Sequence, residues 1–231
     1  MDLRSLIGLI AIVLLLCFTA FLYFKEHPIK GFSSSRTIAA TACFGALSAI
    51  LYAVPIFNFT LPFFPSFLSL HFDEIPSFIV GFAYGPYAAV GSILVKTIVK
   101  LPLTSTLGVG ELGDFILSTL FVLPSAIIYR HKRNLKGVAI GFSVSLVLQL
   151  VASMVLNVYM LVPFYSNVMA GLSEETLLAI CQLAMPWIRD VGWSYAFYAV
   201  LPFNLLKDAI VLVLTFLAYR YLHRFIKFSG Q

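Results

Sequence analysis

Apolar residues run along this chain in stretches too long and too even for the two-sided elements of a water-soluble fold. A helix needs roughly 20 mostly apolar residues to cross a bilayer. Five stretches meet that length, at about 5–24, 37–57, 109–129, 138–162 and 199–224. A sixth, 72–101, is interrupted by Gly85-Pro86. Pro86 suits the first turn of a helix and Gly85 the tight turn before it, so the stretch predicts a hairpin of two short helices at about 72–84 and 86–101. Under-length helices of this kind tilt little, thin the bilayer locally or pack inside a bundle.

The polar positions orient these elements. Three short segments are basic: one holds Lys25, Lys30 and Arg36, the next Arg130, Lys132, Arg133 and Lys136, the last Arg220, Arg224 and Lys227. Basic short loops stay cytoplasmic, and all three do so only if the chain turns back at Gly85. Ten of the 15 Lys and Arg then lie inside with one acid, Glu26, and nine of the ten Asp and Glu lie elsewhere. The expected architecture is an all-α membrane protein of the cell membrane. Its six-helix domain occupies 31–231 with both ends cytoplasmic, and 1–30 adds an extra N-terminal transmembrane helix and linker. The run 5–24 is long for a signal peptide and has no clean cleavage site before Lys25, so a retained helix is expected. Residues 163–198 form an external loop in this layout. Within it, Glu174-Glu175 followed by Leu177, Leu178, Ile180 and Leu183 predicts an amphipathic helix over the bundle mouth, ended by Pro186.

Composition acts chiefly by exclusion. The chain is 61% hydrophobic and 11% charged, with mean hydropathy +0.98, whereas a soluble domain carries about 25% charged residues. A water-soluble enzyme, a nucleic-acid binder and a disordered chain are excluded. The net charge of +5 therefore records topology and not a nucleic-acid partner. Three widely spaced cysteines, Cys17, Cys43 and Cys181, give neither a metal pattern nor a disulfide framework. There is no Walker-A loop, so the chain does not hydrolyse ATP itself. No buried nucleophile or metal site of a membrane enzyme can be assembled.

Ionisable residues within membrane spans are costly and mark function. Here Asp73, Glu74, Lys96, Lys100, Glu111, Asp114, Asn157, Tyr159, Asn204, Lys207 and Asp208 all fall in the outer half of the bundle. The pattern describes a cup with a polar mouth and a dry floor. Structural roles compete for some of them. Asp73-Glu74 can complement a helix start, and Lys96 and Lys100 can snorkel to the headgroups. Glu111 and Asp114, spaced i, i+3, share a helix face and call for a cationic partner such as Lys100. Asn204 and Lys207, also i, i+3, offer donors and an acceptor suited to a planar heterocycle with alternating carbonyl and N–H groups. The first external loop, Ile56 to His71, carries two prolines and several aromatics that suit a wall over a flat ligand. Ala39, Ala42, Ala46, Ala49 and Ala53, with Gly45, form a small-residue stripe that fits either internal packing or an external partner.

Five stretches carry a resemblance when taken in order. They are Pro65-Ser-Phe-Leu-Ser-Leu-His-Phe-Asp-Glu-Ile-Pro76, Gly81-Phe-Ala-Tyr-Gly-Pro86, Gly110-Glu-Leu-Gly-Asp-Phe115, Leu156-Asn-Val-Tyr159 with Pro163-Phe-Tyr165, and Pro202-Phe-Asn-Leu-Leu-Lys207. Across about 36–224 the chain resembles the riboflavin-specific S component of energy-coupling-factor (ECF) vitamin transporters. The resemblance implies six helices and an outward-facing pocket for riboflavin, a transported ligand and not a cofactor. It also implies partnership with a transmembrane coupling subunit and two ATPases, docked through the alanine-rich face of Ala42, Ala46, Ala49 and Ala53. Flavin-binding positions carry over to Leu70 or a neighbour, Asn157, Asn204 and Lys207; Glu111, Asp114 and Tyr159 join them from the clustering of polar groups. Asp114 departs from the family's Asn, and an ionised Asp only accepts hydrogen bonds. Residues 1–30 lie outside the common core. Other readings are an S component for FMN, with phosphate held by Lys96, Lys100 or Arg189, one for another heterocycle, or an autonomous secondary carrier. The charge-poor inner half counts against the last.

Overall fold

The computed structural model describes residues 34–169 and 171–226. The expected helix at 5–24 lies outside the described residues. Helix α1 is Ser35–Ala53, α2 is Glu74–Tyr84 and α3 is Pro86–Lys100, extended by a 3₁₀ turn at Leu101–Leu103. Helix α4 is Val109–His131. Helix α5 runs over Leu135–Val168 and α6 is Glu174–Ala184. Helix α7 starts at Trp193–Tyr195 and continues through Leu201–Ile226. Five of these, all but α2 and α6, are long and apolar enough to cross a membrane.

The hairpin at Gly85-Pro86 forms as its residues require. Gly85 has φ 101°, a left-handed conformation that disfavours a side chain, and Pro86 opens α3 at its first turn. Close to the turn, a Cβ on Gly81 would lie 2.9 Å from the Ala89 Cβ, so glycine and alanine let α2 and α3 meet closely. Helix α1 packs on α3 by the same device. A Cβ on Gly45 would fall 2.7 Å from the Val95 Cβ.

Alternation of the chain puts the connections 54–73, 101–108 and 169–192 at one end of the bundle, here called the mouth. Gly85 and the 132–134 connection lie at the other end. Helix α2 has only 11 residues, about 16 Å of rise against a hydrocarbon core of about 30 Å. It therefore starts well below the mouth, and the 54–73 connection dips down to reach it. That connection also holds a two-stranded antiparallel sheet absent from the all-helical expectation: β1, Phe59–Thr60, pairs with β2, Ser69–Leu70, in the register Phe59 to Leu70.

Two helices run further toward the mouth than expected. Helical structure on α5 continues to Val168, and α7 begins at Trp193, so the external loop is 169–192 and not 163–198. The reason is a π turn in each, at Asn157–Leu161 and Ala196–Val200. Pro163 and Pro202 follow these turns by two residues and have no N–H for the usual bond four residues back. The wider turn absorbs the defect: Val162 N–H donates to the Asn157 carbonyl and Leu201 N–H to the Ala196 carbonyl. Helix α6 forms where predicted, capped by Ser173, whose side chain accepts from Thr176 N–H, and it stops at Ala184, two residues before Pro186.

Buried apolar side chains divide by depth. Near the mouth, Phe64, Leu70, Leu177, Ile188, Tyr195 and Phe203 pack together. Toward the opposite end, Phe78, Phe82, Phe121, Tyr129, Phe142 and Tyr219 form a second cluster. This deeper part still carries polar groups. Ser48, Ser77 and Ser92 hydrogen-bond across α1, α2 and α3, Ser125 pairs with Ser145, and Tyr129 with Tyr219. Such hydroxyl contacts between helices hold membrane bundles together.

Candidate ligand cavity

The short α2 leaves space above its first turn, and the structure holds a cavity of about 380 Å³ there. Its lining comes from every helix that reaches the mouth and from the first loop: Tyr52 of α1, Lys100 of α3, the start of α4, α5 before and after its π turn, Leu177 and Cys181 of α6, and α7. Phe67, Leu117, Leu161, Tyr165 and Phe203 supply apolar and aromatic walls.

Five of the seven predicted binding residues line this one cavity: Glu111, Asp114, Asn157, Asn204 and Lys207. Leu70 does not. It is buried in the mouth cluster, while its neighbours Ser69 and His71 line the space. Tyr159 lies within the π turn and lines a separate hollow with Arg189 and Trp193, its ring 6.0 Å from the Trp193 ring.

The two asparagines are oriented by their own helices. Asn157 Nδ2 donates to the Ser153 carbonyl and Asn204 Nδ2 to the Val200 carbonyl, each at 2.8 Å. These bonds fix the amide oxygens as the free ends, and Asn157 Oδ1 accepts from Tyr195 OH at 3.4 Å. Each asparagine thus offers an acceptor and one spare N–H.

The charged groups form a continuous network. Lys96 is fully buried and donates to Asp73 and to Ser118, the latter at 2.8 Å, and pairs with Asp114 at 2.7 Å. It does not snorkel, and the partner of Asp114 is Lys96, not Lys100. Burial explains this: a fully buried ammonium needs carboxylates in contact. Asp73 also accepts from His71 Nδ1. Lys207 donates to Glu74 Oε1 at 2.7 Å and lies 3.5 Å from His71 Nε2. Asp73 and Glu74 are therefore counter-ions of two buried lysines and not simple helix caps; the Asp73 side chain makes no capping bond. Glu111 is held differently, accepting from the Thr104 and Thr106 hydroxyls at 2.6 and 2.9 Å. Lys100 stays at the cavity with its ammonium 5.3 Å from the Tyr52 ring centre.

Among the described residues one group, His71, Asp73, Glu74 and Asp114, brings potential metal-binding atoms within 4.8 Å of one another. The ammonium groups of Lys96 and Lys207 already meet three of these four residues as cations. The chemistry is that of an ion-pair network, in which Glu74 Oε2 alone of the glutamate's oxygens keeps no hydrogen-bond partner.

Sequence reasoning passed over His71, Gln149 and Tyr195. Gln149 carried a signal, a lone amide in the apolar run of α5. It is buried, lines the cavity, and its Oε1 has no hydrogen-bond partner. Tyr195 and His71 reach the cavity only through the π turn of α7 and the fold of the first loop.

Comparison with known proteins adds three findings. The family model described as "ECF transporter, substrate-specific component" matches residues 36–219. A curated relative named riboflavin transporter RibU, from Staphylococcus aureus, is 26% identical over 183 residues, covering 78% of this chain and 88% of the relative. Another, riboflavin transporter FmnP from Bacillus subtilis, is 26% identical over 171 residues, covering 72% and 83%. Among solved structures, one titled as the S component of a bacterial ECF transporter has a TM-score of 0.62 at 23% identity, covering 83% of this chain and 98% of that one.

Proposed function

This chain belongs to the substrate-specific components of ECF transporters, and from that premise we propose that it captures riboflavin from outside the cell and passes it on for ATP-driven uptake. It is a substrate-binding transport subunit and not an enzyme. One observation carries the riboflavin reading: Asn157, Asn204 and Lys207 converge on a single cavity between aromatic and aliphatic walls. That edge matches the alternating carbonyl and N–H groups of an isoalloxazine ring. The names of the two relatives support it.

The charge of the lining favours riboflavin over its phosphate ester. Lys100 and Lys207 face Glu74, Glu111 and Asp114. Of the cations considered for a phosphate, Lys96 is enclosed by its carboxylates and Arg189 lines the separate hollow. A phosphate dianion would enter a partly dry space already richer in carboxylates. Titrating the purified protein while following flavin fluorescence tests both parts. Riboflavin is expected to be quenched at sub-micromolar concentration, with FMN at least about tenfold weaker. No quenching by micromolar riboflavin in folded protein would sink the assignment.

The coupling partner is proposed to dock on α1. Ala42 and Ala46 are exposed there, beside exposed Cys43. Ala49, buried against the bundle, belongs to the internal packing face, and Ala53 is half-buried. The proposed orientation puts the mouth outside and exposed Arg36, Arg130, Lys132, Arg133, Lys136 and Arg220 on the cytoplasmic side.

A further inference from the structure

His71 has two ring nitrogens with opposite duties. Its Nδ1 meets the Asp73 carboxylate, which is fully buried and takes the Lys96 ammonium on its other oxygen. A carboxylate so held can only accept, so Nδ1 carries the proton. Nε2 is left to face the Lys207 ammonium, against which it acts as the acceptor. The neighbour on this side agrees: Lys207 Nζ lies 3.5 Å from Nε2 and has only protons to offer. This contact is long for a hydrogen bond, and Lys207 is already held by Glu74 at 2.7 Å. Nε2 therefore has a better partner to gain.

The ring stands at the cavity, lining it together with Glu74 and Lys207. It packs beside Tyr52, whose ring centre is 5.3 Å away. Asp73 and Lys96 are themselves immobile: Lys96 is anchored to Asp114 and Ser118 on α4. The buried network thus sets both the orientation and the tautomer of a histidine in the first loop. Beside it, Glu74 positions the Lys207 ammonium as a donor.

We infer that His71 is a specificity-determining residue, its Nε2 accepting the N–H of a ligand imide while the adjacent Lys207 donates to the neighbouring carbonyl. An acceptor and a donor 3.5 Å apart suit adjacent N–H and C=O groups on one ring edge. A ligand lacking that N–H leaves Nε2 with only its long contact to Lys207 and binds more weakly. The inference rests on the flavin reading, since the isoalloxazine imide supplies the N–H.

The test compares riboflavin with 3-methylriboflavin, which differs at that nitrogen, by fluorescence titration of the full chain. The wild type is expected to bind riboflavin about tenfold or more tightly than the methyl analogue. In His71→Ala the preference is expected to shrink by roughly tenfold; in His71→Gln, whose amide oxygen can accept, most of it returns. A purely structural role for His71 would weaken both ligands together and leave their ratio unchanged. Equal wild-type affinity for the two flavins overturns the inference whatever the variants do. So does an unchanged ratio in His71→Ala that still binds riboflavin. Should the wild type bind neither flavin, the riboflavin assignment itself fails, an outcome distinct from equal binding of both.

Discussion

Single residues at the cavity separate into those that hold the fold and those free to meet a ligand. Lys96 is of the first kind. Replacing it with Met leaves Asp73 and Asp114 facing each other without a cation, and breaking a buried pair in this way costs about 3–5 kcal/mol. Lys96→Met is expected to lower the melting temperature in detergent sharply, with or without ligand. Asn157 and Asn204 are of the second kind: each is held by a bond within its own helix, and Asn157 adds only a long contact from Tyr195. Asn157→Ala and Asn204→Ala are each expected to weaken riboflavin about tenfold while the melting temperature of the unliganded protein moves little. The sequence announced these groups unevenly. A lysine or asparagine inside an apolar helix stands out by composition alone, so Asn157, Asn204 and Lys207 were visible. Which carboxylate meets which lysine was not: Asp114 and Lys96 lie on different helices, and their pairing depends on how α3 and α4 pack. His71 stayed hidden because a loop histidine has no periodicity to betray the face it takes.

Elements were legible wherever composition or a breaker residue dictates them. Long apolar runs gave four of the spans, and Gly85-Pro86 gave the hairpin, because a left-handed turn and a helix-opening proline are local facts. The first-loop sheet was not legible, since two-residue strands leave no pattern. The extension of α5 and α7 past their prolines was missed for another reason. The expected spans stop at 162 and start at 199, whereas a π turn beside each proline carries the helix on toward the mouth. The small-residue stripe of α1 divides once the packing is known. Gly45 faces α3, and Gly45→Leu is expected to push the two helices apart and reduce thermal stability, because a larger side chain collides with Val95. Ala42→Leu and Ala46→Leu point away from the bundle. Neither is expected to change riboflavin affinity in the isolated subunit, but both are expected to prevent copurification with the coupling subunit.

Considered whole, the molecule gathers its buried charges near the mouth and covers them with α6. Leu177 and Cys181 of that helix line the cavity from above. Cys181 is 1% exposed, and burial pushes its thiol up to about 11. A thiol raised in this way stays protonated through neutral pH and gains thiolate only as the pH approaches that value. In a Cys17→Ser background, maleimide is therefore expected to label Cys181 hardly at all at pH 7.5, as counted by intact mass. Cys181 labelling is expected to rise with pH.

The two π turns also give the cavity a phase. Each turn holds one residue more than an α-helical turn would in the same place. Removing a residue from Ala196–Val200 would close the surplus and rotate the flanks about 100° against one another. Tyr195 and Asn204, which now look into one cavity from either side of that turn, could not both do so afterwards. The same holds for Asn157 and Tyr165 across the turn in α5. A one-residue deletion there would disperse the binding edge and set each proline against the carbonyl four residues back.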